Sequence, residues 1–376
     1  MRPSGWVNWC AGRIGDPVLR LRFLRAVAPE WGHPVKPRRP SGYLVLPLIA
    51  IPVVALFLVR GRTQAADAPA SAAVSVELPA RAGTSPVPDV WQVEKSAQSE
   101  TYSNGLRIDN RFATSHHSRS YRLFPVDPKD PSEGVAGSQP LGIVFHTTES
   151  RQAPFEAQQN GVLRRLEESL LEYVQRKRAY NFLIDRFGRV YRIVVESDAA
   201  DHAGHSVWSD GKWLYLNLNE SFLGISFEAE TLPGQTDARV SSAQLRAAAM
   251  LTEMLRSRYG IAGTNCVTHA QVSVNPSNMR IGYHTDWASS FPFAALGLPD
   301  NYALPPPALL LAGFEADPAF LRAAGPRLGA GVQLAQNRLA ERSRAAGVSL
   351  RSYRDRLRIE YRDRLAELRS AAGDSE

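Results

Sequence analysis

Three short stretches, far apart in the chain, constrain the fold most: LGIVFHTTES around His146, NCVTHAQVS around His269 and GYHTDWASSFPF around Asp286. In the first two a histidine closes a short apolar run, the pattern of a buried strand whose end projects side chains to the rim of a sheet. A lone histidine is more often a packed core residue than a ligand. Two histidines and an acid set out in this way suit a zinc ion with a fourth position left open for water, the arrangement of a hydrolytic site rather than a structural one.

The sequence between them alternates strands and helices. Leu141–Thr147 reads as a buried strand. From Pro154 to Arg178 the apolar positions Phe155, Val162, Leu163, Leu166, Leu170, Leu171 and Val174 recur at helical spacing. AYNFLIDRFGRVYRIV reads as a hairpin turning at Asp185–Gly188, and Phe222–Glu230 as a further strand. A helix then runs from the N-cap Ser241 through Tyr259, with Gly260 at its C-cap, before a strand leads to His269. This alternation predicts an α/β fold with a mixed central β-sheet flanked by helices.

The ends of the chain have a different character. The uncharged run from Tyr43 to Val59 predicts a transmembrane signal anchor over 42–60, with the basic segment 1–41 held in the cytoplasm. A cleaved signal peptide is the rival, but no clean A-x-A site follows the run. Residues 61–89 are Ala, Pro and Ser-rich and read as a flexible linker. Residues 90–139 form an extended lead-in segment with no assignable task, and 140–300 the compact domain. Residues 301–376 are a Pro-rich connector and a helical tail. Leu350, Tyr353, Leu357, Tyr361, Leu365 and Leu368 make one apolar stripe along that tail. Such a stripe fits a short coiled coil or a docking helix, so a helix-mediated partner or self-association through it is expected. The net charge of +7 sits largely at the two ends, with no basic stripe interleaved with aromatics, and nucleic acid is excluded as a partner. The two cysteines, Cys10 and Cys266, fall on opposite sides of the apolar run, which excludes a disulfide framework.

Several motifs then occur in one order: VFHTT, YNFLIDRFGRVY, DHAG from Asp201 to Gly204, an N-x-x-x-x-G-I-S-F run from Asn219 to Phe227, VTH at 267–269 and HTDWASSFPF. In this order residues 140–295 resemble the zinc-dependent N-acetylmuramoyl-L-alanine amidases of the type 2 class, the superfamily that also holds peptidoglycan recognition proteins and phage lysozyme-like amidases. The resemblance implies Zn2+ as cofactor, with His146, His269 and Asp286 as its ligands. It implies Tyr180 beside the metal, orienting the attacking water or polarising the scissile carbonyl. His202, Thr147, Asn219 and Ser226 fall in the matching motifs and are expected along the substrate groove. Trp208, Trp213 and Trp287 are candidates for sugar stacking, although tryptophans are more often core.

Two positions depart from the family pattern. Ser226 stands where many bacterial members carry a glutamate, and Glu228, two residues on and on the same side of the strand, is the carboxylate at hand. His284 stands where the family lysine steadies the oxyanion; its alternative role is third zinc ligand with Asp286 behind it. Proton delivery to the leaving amine is open between Glu228 and Asp286. The activity implied is hydrolysis of the amide between the muramic acid lactyl group and L-alanine of peptidoglycan stem peptides, in a bacterial cell envelope and anchored at the inner membrane. The alternative is a peptidoglycan-binding module with little or no turnover.

Overall fold

The computed structural model describes residues 87–127, 134–230 and 240–373. At its centre lies an eight-stranded mixed sheet. From edge to edge its strands are β1 (Gln92–Lys95), β2 (Ser99–Tyr102), β3 (Arg107–Asp109), β8 (Val190–Arg192), β7 (Phe182–Ile184), β11 (Phe222–Phe227), β6 (Gly142–Thr147) and β12 (Cys266–Thr268). The four strands β7, β11, β6 and β12 run parallel, and their register sets Ser226 beside His146 and Phe227 beside Thr147.

Strand periodicity explains how this sheet divides its two faces. Ile143 and Phe145 of β6, Ile225 and Phe227 of β11, and Phe182 and Ile184 of β7 join one core with Ala247, Ala248, Leu251, Met254 and Leu255 of α3 (Ser242–Tyr259). The alternate residues Val144, His146, Gly224, Ser226 and Leu183 lie on the opposite face. There α1 (Asn160–Lys177) packs Leu171 and Val174 against Leu183 and Tyr191, covering the β7–β8 half. His146 lies on the β6–β11 half of that face.

The predicted hairpin, the strands at 142–147 and 222–227, and the helix ending at Gly260 are all present. Ser241 closes a capping box with Gln244, and its hydroxyl also donates to the Arg186 carbonyl at 2.8 Å, tying α3 to the β7–β8 turn. The first long helix starts later than its apolar spacing suggests, at Asn160, after a turn of 3-10 helix at Ala157–Gln159.

Residues 90–139 do more than lead in. They contribute β1, β2 and β3 to the central sheet, where β3 pairs in parallel with β8, and they add β4 (Tyr121–Pro125) and β5 (Val135–Gly137) to a second sheet with β9 (Val207–Ser209) and β10 (Trp213–Leu216). One turn of helix, α2 (Leu218–Ser221), precedes β11. A third, small sheet joins β13 (Val274–Asn275), β14 (Arg280–Ile281) and β15 (Glu315–Ala316).

The C-terminal region folds onto the domain. After α4 (His269–Val272) come α5 (Pro307–Leu311), α6 (Pro318–Ala323), α7 (Pro326–Ala345) and α8 (Leu350–Gly373). The stripe expected to seek a partner or a second copy is covered by the chain itself. Leu357 and Tyr361 are buried, Tyr361 meets Phe314 edge-on at 5.1 Å, and Leu350, Tyr353, Leu365 and Leu368 pack against the same core. An amphipathic helix satisfies its apolar face on the nearest apolar surface, and here that surface is intramolecular.

The predicted span over 42–60, with the basic segment before it and most of the linker after it, lies outside the described residues. Among the described residues no helix is long and apolar enough to cross a membrane.

Candidate metal centre and active site

His146 reaches the open face because it is the fifth residue of β6, alternating with the core-facing Phe145. His269 sits at a rim for a different reason. β12 stops at Thr268, whose main-chain N–H donates to Gln271 Oε1 at 2.9 Å, and the chain turns there into α4. Asp286 comes from the loop after β14. Its successor Trp287 is fully buried, with its ring 5.6 Å from Phe227 and 5.2 Å from Phe291, and pins that loop to the core.

These three side chains converge. One ligand atom from each lies within 4.8 Å of the others. Nδ1 of His146 is 3.3 Å from Oδ2 of Asp286, and Nδ1 of His269 is 2.9 Å from Oδ1. All three are almost wholly buried.

Hydrogen bonds behind the site favour one tautomer of His146 for binding a cation. His202 lies across Gly224, so close that a Cβ added there would stand 2.6 Å from its Cγ; only glycine leaves room. Its Nε2 is 3.2 Å from the Phe222 carbonyl and its Nδ1 is 3.1 Å from Nε2 of His146. A carbonyl only accepts, so His202 carries its proton on Nε2 and offers a lone pair at Nδ1. His146 must then donate from Nε2, which leaves its Nδ1 bare. Burial, with the neighbouring His269, pushes His146 down to about 4, so the ring is neutral near pH 7. In that tautomer the Nδ1 lone pair and the Asp286 carboxylate both point into the space between them. Burial favours the protonated acid at Asp286, yet the facing histidines outweigh it and hold the carboxyl far below the usual range. His269 adds a second unresolved atom, since its Nε2 is buried with no hydrogen-bond partner among the described residues. Two imidazoles and a carboxylate crowded together in this way are the donor set of a divalent cation such as zinc, and the residues fit it.

The loop holding His202 is itself fixed by one side chain. Asn219 Oδ1 accepts from the main-chain N–H groups of His202, Ala203 and Gly204 at 3.1, 2.6 and 3.3 Å. Behind it, buried Arg119 donates to the carbonyls of Glu196, Asp198, Asn219, Glu220 and Phe222. Arg119 lies in the lead-in segment, and its role has no local sequence signal because every acceptor is at least 77 positions away.

Tyr180 occupies the left-handed region at φ 67° and puts its ring 5.1 Å from that of His146. Burial, reinforced by the Asp286 charge, pushes its hydroxyl well above the ordinary range, so it is a donor at any physiological pH. His284 lies outside the converging trio. Its ring stacks on His269 at 4.5 Å and 21°, and its main-chain N–H donates to Ser273 Oγ at 3.0 Å. Ser226 is buried beside Tyr180. Thr147 turns its hydroxyl to the Glu149 carboxylate. Glu149 escaped the sequence reading, yet it is exposed, near enough for its charge to act on Tyr180, and strained at φ 46°. Glu228 is buried where β11 ends, accepts from the Arg186 N–H at 3.2 Å, and is pushed up to about 7 by burial and by the charges of Asp185 and Glu167. Trp208 and Trp287 are core residues, whereas Trp213 is half-buried under Lys212.

Residues 136–286 match the family model described as N-acetylmuramoyl-L-alanine amidase. That match covers about two-fifths of the chain. Comparison with curated proteins found no match. Among solved structures the chain is similar to the N-acetylmuramoyl-L-alanine amidase LysC from Clostridium intestinale URNW, at 18% identity over 49% of this chain and 93% of that one, TM-score 0.26. It is also similar to AmpDH3 from Pseudomonas aeruginosa, at 19% identity over 57% and 98%, TM-score 0.37. The amidase AmiD from E. coli, solved with anhydro-N-acetylmuramic acid-L-Ala-D-gamma-Glu-L-Lys, is 22% identical over 56% and 83%, TM-score 0.34. The family match ends at Asp286, so the C-terminal helices fall outside it.

Proposed function

We propose that the chain is a zinc-dependent peptidoglycan amidase that hydrolyses the bond between the lactyl group of N-acetylmuramic acid and L-alanine. The observation that carries this is the convergence of His146, His269 and Asp286, one ligand atom from each lying within 4.8 Å of the others. His146, His269 and Asp286 would hold the ion. Bound there, zinc supplies an acidified water and a polarising charge for the scissile carbonyl.

The chain's own groups account for the remaining chemistry. Tyr180, kept protonated, donates a hydrogen bond to the oxygen on which negative charge develops. His284, stacked on His269, offers a second ring N–H near the same place when protonated. Departure of the L-alanine amine requires a proton. A carboxyl poised near 7 such as Glu228 is matched to that task, and Asp286 is the other candidate. The predicted span over 42–60 would tether the domain to the inner membrane, facing the wall.

End-group analysis of purified sacculi tests the bond. The proposal expects new L-alanine amino termini and intact glycan strands; reducing sugar ends, or new amino termini on other stem residues, would assign a different bond. A binding module would retain the metal and the sacculi but release nothing.

A further inference from the structure

Residues 114–119 lie ahead of residue 136, where the family match begins, yet they are woven into the support of the metal centre. They run beside residues 193–199. Main-chain N–H groups donate from Thr114 to Ile193, from Val195 to Thr114, from Arg119 to Ser197 and from Ala199 to His117, at 2.7, 3.2, 2.9 and 3.1 Å. At the end of this run Arg119 is only 2% exposed. Its guanidinium donates to the main-chain carbonyls of Glu196 at 3.3 Å, Asp198 at 3.0 Å, Asn219 at 3.0 Å, Glu220 at 2.8 Å and Phe222 at 3.0 Å. We infer that Arg119 is a positioning residue of the metal centre, setting His202 and Tyr180 in place through carbonyls that it shares with their neighbours; the inference rests on the metal-centre reading of His146, His269 and Asp286.

Three of those carbonyls lead to the site. The Phe222 oxygen takes an Arg119 N–H and also faces His202 Nε2 at 3.2 Å, and the other ring nitrogen of His202 is 3.1 Å from His146. The Asp198 oxygen takes Arg119 Nη2 and also Asn181 Nδ2, the latter at 3.3 Å. Asn181 follows Tyr180 in the chain, and its Oδ1 accepts at 3.0 Å from the N–H of Gly224, the glycine that makes room for His202. Asn219 offers its carbonyl to Arg119 and its side chain to the N–H groups of His202, Ala203 and Gly204. One side chain therefore sets the spacing of the segments 196–198 and 219–222 against the His202 loop. Arginine suits this task, because its planar fork presents five N–H donors whereas lysine has three on a single nitrogen. Burial pulls the guanidinium down to about 10, so it keeps its charge at pH 7.

The test compares the full chain with Arg119→Lys, and with Tyr361→Ala as a control that loosens α8 instead. Zinc affinity is read by competition with a chromophoric chelator. Amide exchange of the metal-free protein is read at residues 202–204 by mass spectrometry. Arg119→Lys is expected to weaken zinc binding by about tenfold, the low end of the range for a residue behind the ligands, and to speed exchange at 202–204 more than elsewhere. Tyr361→Ala is expected to melt at a lower temperature and to bind zinc as the wild type does, which a purely structural role for Arg119 would not distinguish from Arg119→Lys. Arg119→Gln, which buries no charge, takes the place of Arg119→Lys if thermal melting shows that the lysine variant does not fold. Undiminished zinc affinity, a loss no greater than in Tyr361→Ala, or exchange that rises evenly along the chain would overturn the assignment. Neither measurement needs turnover, so the two readings separate. A chain that cuts no muropeptide but loses zinc affinity with Arg119→Lys keeps the positioning role and loses the amidase activity; one that cuts muropeptides and binds zinc equally well in both forms loses only the positioning role.

Discussion

His202 tests the proposed metal centre apart from the fold. It accepts from His146 and donates to Phe222, so His202→Ala removes the partner that fixes the His146 tautomer. Metal affinity should fall by about 10–100-fold, the usual effect of losing such an outer partner, while the protein stays folded; a competition titration with a chromophoric chelator reads this directly. Glu228 gives the opposite kind of prediction. Its folded pKa is raised from 4.5 to about 7, so the folded state holds the proton longer than the unfolded one. Stability contributed here is therefore present below about pH 4.5 and is lost as pH rises through 7, at a total cost on the order of 3 kcal/mol. Glu228→Gln should stabilise the protein by roughly 1–3 kcal/mol at pH 8, and by much less at pH 5, in denaturant titrations. At this scale the sequence showed His146, His269 and Asp286, because each sits in a motif with a local pattern. It gave His202 a place on the groove wall, whereas in the fold both its ring nitrogens are engaged. Arg119 and Glu149 carried no signal, since their importance lies in partners distant in sequence or in a strained backbone angle.

Among the elements, the parallel strands around β6 were legible because all-apolar runs bounded by turns have few other homes. The helix α3 was legible from its cap at Ser241 and its glycine at 260. The short strands β1, β2 and β3 were not. Their residues are polar or only weakly alternating, and the sheet edge they extend, not their own pattern, makes them strands. The C-terminal stripe was correctly helical, but an apolar face does not say what it will cover. Its burial against Phe314 predicts that Tyr361→Ala costs about 3–5 kcal/mol, as for other large aromatic truncations in a core. A change in midpoint at constant slope in denaturant titrations would show this, and an unchanged midpoint would mean that α8 is dispensable.

For the whole molecule, the central sheet and the clamp on the His202 loop bring two imidazoles and a carboxylate together, and the proposed function places a cation between them. Adding zinc at about a hundred times its dissociation constant should raise stability by about 2.7 kcal/mol, and chelation should reverse the gain as a fall in melting temperature of a few degrees. Two imidazoles and an acid that did not need an ion would melt at the same temperature with and without it. The most direct measurement quantifies bound metal and stem-peptide release from muropeptides side by side, for the wild type and for His146→Ala. One zinc per chain and turnover in the wild type, with both lost in the variant, is the predicted result. A variant that still cuts, or an active wild type that binds no metal, would contradict it.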